Sequence, residues 1–181
     1  MKTIIVSDIH GSRSGAEAVA AAIAREQPQR ILLLGDLLSP GMPPEDKIQL
    51  ANILNRFAAQ ILCVRGNCDQ EEWQDYFQFP ILDDKKLFYQ GERLIFLTHG
   101  HLYGEATPPS LLKAGDMLLA GHTHIPKYAV HSSFVYANPG SIAQPRGGSL
   151  CSYLLWQGDM LTWKTRDGQA YRLYQLPTQR E

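Results

Sequence analysis

An α/β fold is predicted, with two packed mixed sheets and helices outside. Five short apolar runs rich in Ile, Leu and Val recur along the chain: TIIVS (3–7), ILLLG (31–35), ILCVRG (61–66), LIFLTHG (94–100) and MLLAGH (117–122). Continuous rather than alternating apolarity marks strands covered on both faces. Helical periodicity separates the first three runs, whereas hairpin signals dominate the second half. A β-α-β-α-β start followed by hairpins gives mixed sheets rather than a purely parallel one.

In order, the first run is a strand. Ser14 with Glu17 has the form of a capping box, and Val19, Ala20, Ile23 and Ala24 then share one helical face. After the second run, Pro44 followed by Glu45 and Asp46 opens a second helix, with Leu50, Ile53, Leu54 and Phe57 at helical spacing. KLFYQGERLIFL (86–97) is a hairpin with Gly91 in its turn. Three further strands are predicted at 128–137, 150–156 and 160–166, the last two divided by Gln157-Gly158-Asp159. Residues 170–176 add another.

The chain has 181 residues, enough for one domain over 1–181 with a sizeable core. Hydrophobic residues make up 44% and charged residues 19%, which is globular composition. A formal charge of −1 argues against a broad basic footprint for nucleic acid. No run reaches the roughly 18–20 apolar residues of a spanning helix, and the first apolar run is too short for a signal-peptide core. Three cysteines form no disulfide framework, and the expectation is a cytoplasmic protein without a membrane partner.

All five runs end in residues that ligate metals. The first gives Asp8 and His10; the next four give Asp36, Asn67, His99, and His122 with His124. Taken singly, Asp8 is an ordinary cap or loop residue, Asp36 and Asn67 are turn residues after glycine, and His99 is a histidine near a sheet edge. Taken together they are harder to explain as packing, because four of the six histidines fall at these ends. Strand carboxyl ends are where open α/β sheets bind ligands, so the five can converge. Mixed oxygen and imidazole donors suit Mn²⁺, Fe or Zn²⁺ rather than Ca²⁺ or a thiolate site.

D-x-H, G-D, G-N, H-G-H and G-H-x-H, in this order, resemble the calcineurin-like metallophosphoesterases. SDIHG, RGNCD and LTHGHLYG look most like the small bacterial and archaeal phosphodiesterases of that superfamily. The resemblance, which runs from about residue 2 to about 148, implies a four-layer α/β/β/α sandwich. It implies two divalent metal ions, Mn²⁺ first, with Fe, Zn²⁺ and Ni²⁺ as alternatives. One would be held by Asp8, His10 and His124, the other by Asn67, His99 and His122, with Asp36 bridging both. The implied reaction is hydrolysis of a small-molecule phosphodiester by attack of a metal-bridging hydroxide, with Asp36 and Asn67 catalytic. Alternatives are a phosphomonoesterase or dinucleotide hydrolase of the same fold, and a non-enzymatic scaffold in protein assembly. A homo-oligomer is left open.

Many members of that superfamily carry His where this chain has Cys68, at a position thought to protonate the leaving oxygen or bind phosphate. A thiol is a weaker acid and a weaker hydrogen-bonding group, so Cys68 is a substitution at the general-acid position rather than a nucleophile or a disulfide half. Cys63 belongs to the core. Asn67, Cys68 and His101 are the candidate substrate contacts, with a plain rim position as the alternative for His101. NPGSIAQPRGG (138–148) is expected to be a strand connection, from which Arg146 could reach phosphate. Tyr153, Trp156 and Trp163 are expected to pack within the sheets.

Overall fold

The computed structural model describes residues 1–177; the last four positions of the domain expected over 1–181 lie outside them. The first sheet is ordered β11-β10-β9-β1-β2-β3. Its strands are β1 (Lys2–Val6), β2 (Arg30–Leu33), β3 (Ile61–Cys63), β9 (Ser152–Gln157), β10 (Met160–Thr165) and β11 (Ala170–Gln175). β1, β2 and β3 run parallel, with Ile4 opposite Ile31 and Leu33 opposite Cys63, while β9 joins β1 antiparallel. Helices α1 (Arg13–Glu26) and α2 (Pro44–Asn55) connect the parallel strands.

The second sheet is ordered β4-β5-β6-β8-β7. It comprises β4 (Lys85–Gln90), β5 (Arg93–Thr98), β6 (Met117–Leu119), β7 (Lys127–Val130) and β8 (Val135–Asn138). Here β5, β6 and β8 are parallel, and β4 and β7 are antiparallel edges.

Three apolar layers hold these elements. Ile5, Leu32, Leu34, Ile95, Leu97, Leu119, Trp156 and Trp163 fill the space between the sheets. Ile4, Val6, Leu33 and Tyr153 meet Val19, Ile23 and Leu54 of the two helices. The apolar runs are therefore continuous because their strands are covered on both sides. Each fully buried Leu or Ile contributes about 1.5–3 kcal/mol. The expected two-sheet α/β architecture is present. Its outer layer on the second sheet is the irregular segment 100–116, which sets Leu112 and Tyr103 against Phe96, Leu118 and Tyr136.

Two local expectations are corrected. The α1 cap is Ser12, not Ser14: Ser12 has extended backbone and its Oγ accepts the Gly15 N–H at 3.0 Å. Ser14 lies inside the first turn, and Glu17 pairs with Arg13 instead of reaching back to a cap. The buried face is accordingly Ala16, Val19, Ala22, Ile23 and Glu26, leaving Ala24 exposed. Residues 128–137 form a hairpin rather than one strand. Ser132 and Ser133 make the turn, closed by the His131 N–H on the Phe134 carbonyl at 2.8 Å, without the glycine or asparagine that usually signals one.

Candidate metal centre

The parallel strands of both sheets deliver their carboxyl ends to one edge, and the chain turns sharply there. Among the described residues, six non-glycine residues have positive φ. Five are candidate ligands: Asp8 (58°), His10 (47°), Asp36 (54°), His122 (66°) and His124 (62°); the sixth, Gln27, caps α1. A side chain in this region costs about 1–2 kcal/mol per residue. Strain of this kind persists only where surrounding contacts over-determine it. The contacts are visible: His10 N–H donates to the Asp36 carbonyl (2.8 Å), and Gly121 N–H to the His99 carbonyl (2.7 Å). Two glycines permit the close approach. A Cβ on Gly66 would lie 2.0 Å from Asp36 Oδ1, and one on Gly121 would lie 1.8 Å from Ser7 Oγ.

Asp8, His10 and His124 form the first donor set. Asp8 is fully buried, and its Oδ1 has no hydrogen-bond partner. That oxygen stands 3.3 Å from His124 Nε2 and 3.6 Å from His10 Nε2, which are themselves 3.2 Å apart. His124 Nδ1 lies 2.5 Å from the Gln144 carbonyl. A carbonyl can only accept, so Nδ1 is the donor there and Nε2 is the nitrogen turned toward Asp8. Backbone fixation of one ring nitrogen is how metal-binding histidines are held.

Asp36 joins this set to a second. Its Oδ1 accepts the Cys68 N–H at 2.9 Å, which leaves Oδ2 at 3.4 Å from both His10 Nε2 and His99 Nε2. His99 repeats the tautomer logic. Its Nδ1 donates to the Leu34 carbonyl at 2.6 Å, so Nε2 is the nitrogen aimed into the site, 3.0 Å from Asn67 Oδ1. Donor atoms of Asp8, Asp36 and His99 all lie within 4.8 Å of one another. His122 gives its backbone N–H to Asp8 Oδ2 (3.1 Å) and sets its ring edge-on to His99 at 5.0 Å. Its ring nitrogens join none of the close donor sets.

Electrostatics follow from these contacts. Burial alone would raise Asp36, yet its carboxyl is held far below the ordinary carboxylate range, chiefly by the bond to His99. Burial likewise opposes a proton on His99, but the carboxylates of Asp36 and Asp8 outweigh it and raise the imidazole. His122 and His101 are lowered, by burial first and by neighbouring His99 next. Carboxylate oxygens and imidazole Nε2 atoms facing each other demand protons or cations between them. One proton per histidine answers only part of that demand, so the residues present fit divalent metal ions.

Cys68 Sγ comes within 4.8 Å of the donor atoms of His10 and Asp36, inside the cluster rather than on its rim. His101 stands beside the second set, 5.4 Å from the His99 ring and 6.2 Å from His122, with a buried and unpartnered Nδ1. Arg146 is exposed, and its amide donates to the His124 carbonyl at 3.3 Å. Tyr153, Trp156 and Trp163 are buried in the sheets, as expected. Sequence reasoning missed four residues that hold the ligands: Asp69, Asn138, Ser141 and Gln144. Ser141 Oγ donates to the Asp8 carbonyl (2.7 Å), and Asn138 Nδ2 to the Gly121 carbonyl (2.7 Å). Loop polarity alone gave no signal for them, since small polar residues are ordinary in turns.

Residues 1–159 match the sequence profile of the calcineurin-like phosphoesterase superfamily domain. The chain belongs to that superfamily. Phosphodiesterase YfcE of Escherichia coli K12 is 36% identical over 169 residues, covering 90% of each chain. The solved structure of YfcE, described as a phosphoesterase from E. coli, aligns with a TM-score of 0.90 at 33% identity, over 98% of this chain and all of that one. Zinc-bound Vps29 from Entamoeba histolytica shares the fold, at a TM-score of 0.66 and 20% identity over 98% of this chain and all of its own. Membership makes this chain a metal-dependent phosphoesterase, in which divalent metal ions are the expected cofactor. No helix among the described residues is long and apolar enough to cross a membrane.

Proposed function

We propose that this superfamily member hydrolyses small-molecule phosphodiesters at a dinuclear centre loaded with Mn²⁺. Asp8, His10 and His124 would hold one cation, and Asn67, His99 and His122 the other, with Asp36 shared. The observation that carries the reading is the Asp36 carboxylate, whose Oδ2 is equidistant, at 3.4 Å, from one histidine of each set. When bound, such cations activate water near neutral pH and neutralise charge on the phosphoryl group. The chain's own residues then orient and select. Asn67 offers an amide to the phosphoryl oxygens beside the shared carboxylate. His101, neutral at physiological pH, presents a ring to the substrate's flank.

Leu102 and Tyr103, the residues after His101 in sequence, line a cavity of about 480 Å³ with Asp83, Asp84 and Lys85, which we assign to the alcohol substituent. Its two carboxylates disfavour a second phosphate, which supports a small diester over nucleic acid, as does the formal charge of −1. The likeness to YfcE supports phosphodiester chemistry, and the oxygen–imidazole donor set supports Mn²⁺ over Mg²⁺.

Replacing Asp36 by Asn tests the reading, because one carboxylate serves both cations. The expected outcome is loss of bis(p-nitrophenyl) phosphate hydrolysis with little Mn²⁺ retained at either position, whereas His101→Asn keeps its metal content. A D36N protein that binds two Mn²⁺ and turns over near the parental rate overturns it. Full activity in a metal-free preparation would instead favour a non-metal route, and inactivity of the fully loaded parent on every diester and monoester would favour the scaffold reading.

A further inference from the structure

We propose that Asp69, which lies behind the site, is a positioning residue for the shared carboxylate of Asp36; the inference rests on the two-metal reading above. Asp69 is only 3% exposed. Its carboxylate is spent on main-chain donors from two loops. Oδ2 accepts the N–H groups of Asp36 and Gly66, each at 2.8 Å, and Oδ1 accepts that of Leu37 at 2.9 Å. The exchange is reciprocal, since Asp36 Oδ1 accepts the Cys68 N–H at 2.9 Å. Each loop's carboxylate thus binds the other loop's backbone, and the β2 and β3 ends are clasped together.

This clasp bears on chemistry rather than on folding alone. Asp36 has a left-handed backbone (φ 54°), which an aspartate holds only when its neighbours enforce it. Asp69 enforces it by receiving the N–H groups at 36 and 37. With backbone and Oδ1 both fixed, Oδ2 has one remaining direction, between His10 and His99. Release of the clasp would let the carboxylate rotate toward one histidine and leave the other. The carboxylate would then no longer be shared, and the coupling of the two cations would be lost, although Asp69 touches neither. Asparagine at 69 keeps one acceptor oxygen and turns an NH₂ toward a backbone N–H, donor against donor.

The test compares D69N with D116N. Asp116 is a control of the same kind: it is 8% exposed and accepts the N–H groups of Lys113 (2.8 Å) and Leu94 (3.1 Å), at the amino-terminal end of β6 away from the donor sets. Mn²⁺ titration by calorimetry, with electron paramagnetic resonance of the loaded proteins, separates positioning from destabilisation. D69N is expected to bind Mn²⁺ about 10–100-fold more weakly. It should also lose the exchange-coupled pair signal, while D116N binds as the parent does at a comparable melting temperature. Parental affinity and coupling in D69N, or equal weakening in D116N, would overturn the proposal.

Hydrogen exchange on the unmodified chain gives a second reading that needs no variant. Segments 34–38 and 64–69 should be protected without metal and gain little on adding Mn²⁺; free exchange that Mn²⁺ abolishes also overturns it. D36N belongs in the same titration. If D36N loses both ions while D69N keeps them, the positioning role alone fails; if D36N keeps both, the two-metal reading fails.

Discussion

At residue 68 the thiol is pushed up to about 11, by burial first and by the Asp36 carboxylate next, so it stays protonated and is no thiolate nucleophile. A proton held that tightly is a poor one to give an alkoxide. General acid catalysis typically contributes about 10²–10⁴-fold, so a missing acid should appear as a steep dependence of rate on leaving-group pKa. Aryl diesters should be cleaved far better than alkyl ones. Cys68→His should flatten a Brønsted series, and Cys68→Ala should change it little; an inactive but fully metallated alanine variant would make the thiol catalytic. The histidines give a second prediction at this scale. His99 is raised, so its proton contributes stability fully present below the unfolded value of about 6.5 and lost as pH rises through the folded value. His101 and His122 are lowered, so protonating them costs stability as pH falls below about 6.5. NMR titration of the metal-free protein should find His99 losing its proton last of the three. Mn²⁺ affinity should climb with pH while His99 deprotonates.

Among the elements, the loop between β8 and β9 departs most from its sequence reading. It connects strands, but its main chain also orients ligands: Gln144 fixes the His124 tautomer, and Ser141 Oγ ties the Asp8 carbonyl. Ser141 further accepts the N–H groups of Ala143 (3.1 Å) and Gln144 (2.7 Å), so one hydroxyl shapes the whole turn. Ser141→Ala strands buried polar groups, each costing about 1–3 kcal/mol. It should lower the melting temperature and weaken Mn²⁺ by about tenfold or more through His124. Unchanged affinity in a destabilised S141A would separate the loop from the site. The turn that follows β3 is less forgiving. A methyl at Gly66 collides with the Asp36 carboxylate itself, so Gly66→Ala should abolish Mn²⁺ binding, read by calorimetry, even if the sheets form.

For the whole molecule, buried charge makes stability and metal loading one equilibrium. Saturation at about 100 times Kd adds about 2.7 kcal/mol. For a chain of this length that is a rise of roughly 5–10 °C in Tm. EDTA should reverse both the shift and the activity, and Mn²⁺ should restore them better than Mg²⁺; a Tm indifferent to Mn²⁺ would deny that the donor sets are linked to folding. The sequence by itself determined the α/β class and where the five apolar strands end, because short continuous apolar runs bounded by turn residues mark strands buried on both faces. It also determined that Asp8, Asp36, Asn67, His99 and His124 close those strands, since chain order alone sets the residues at the end of a run. The contacts that make those residues a site depended on tertiary structure. Left-handed backbone at five candidate ligands, the tautomers set by Leu34 and Gln144, and the Asp69 clasp all join residues far apart in sequence. Such constraints leave no periodic trace, because a main-chain carbonyl or amide is present at almost every position and only the fold selects which one is used.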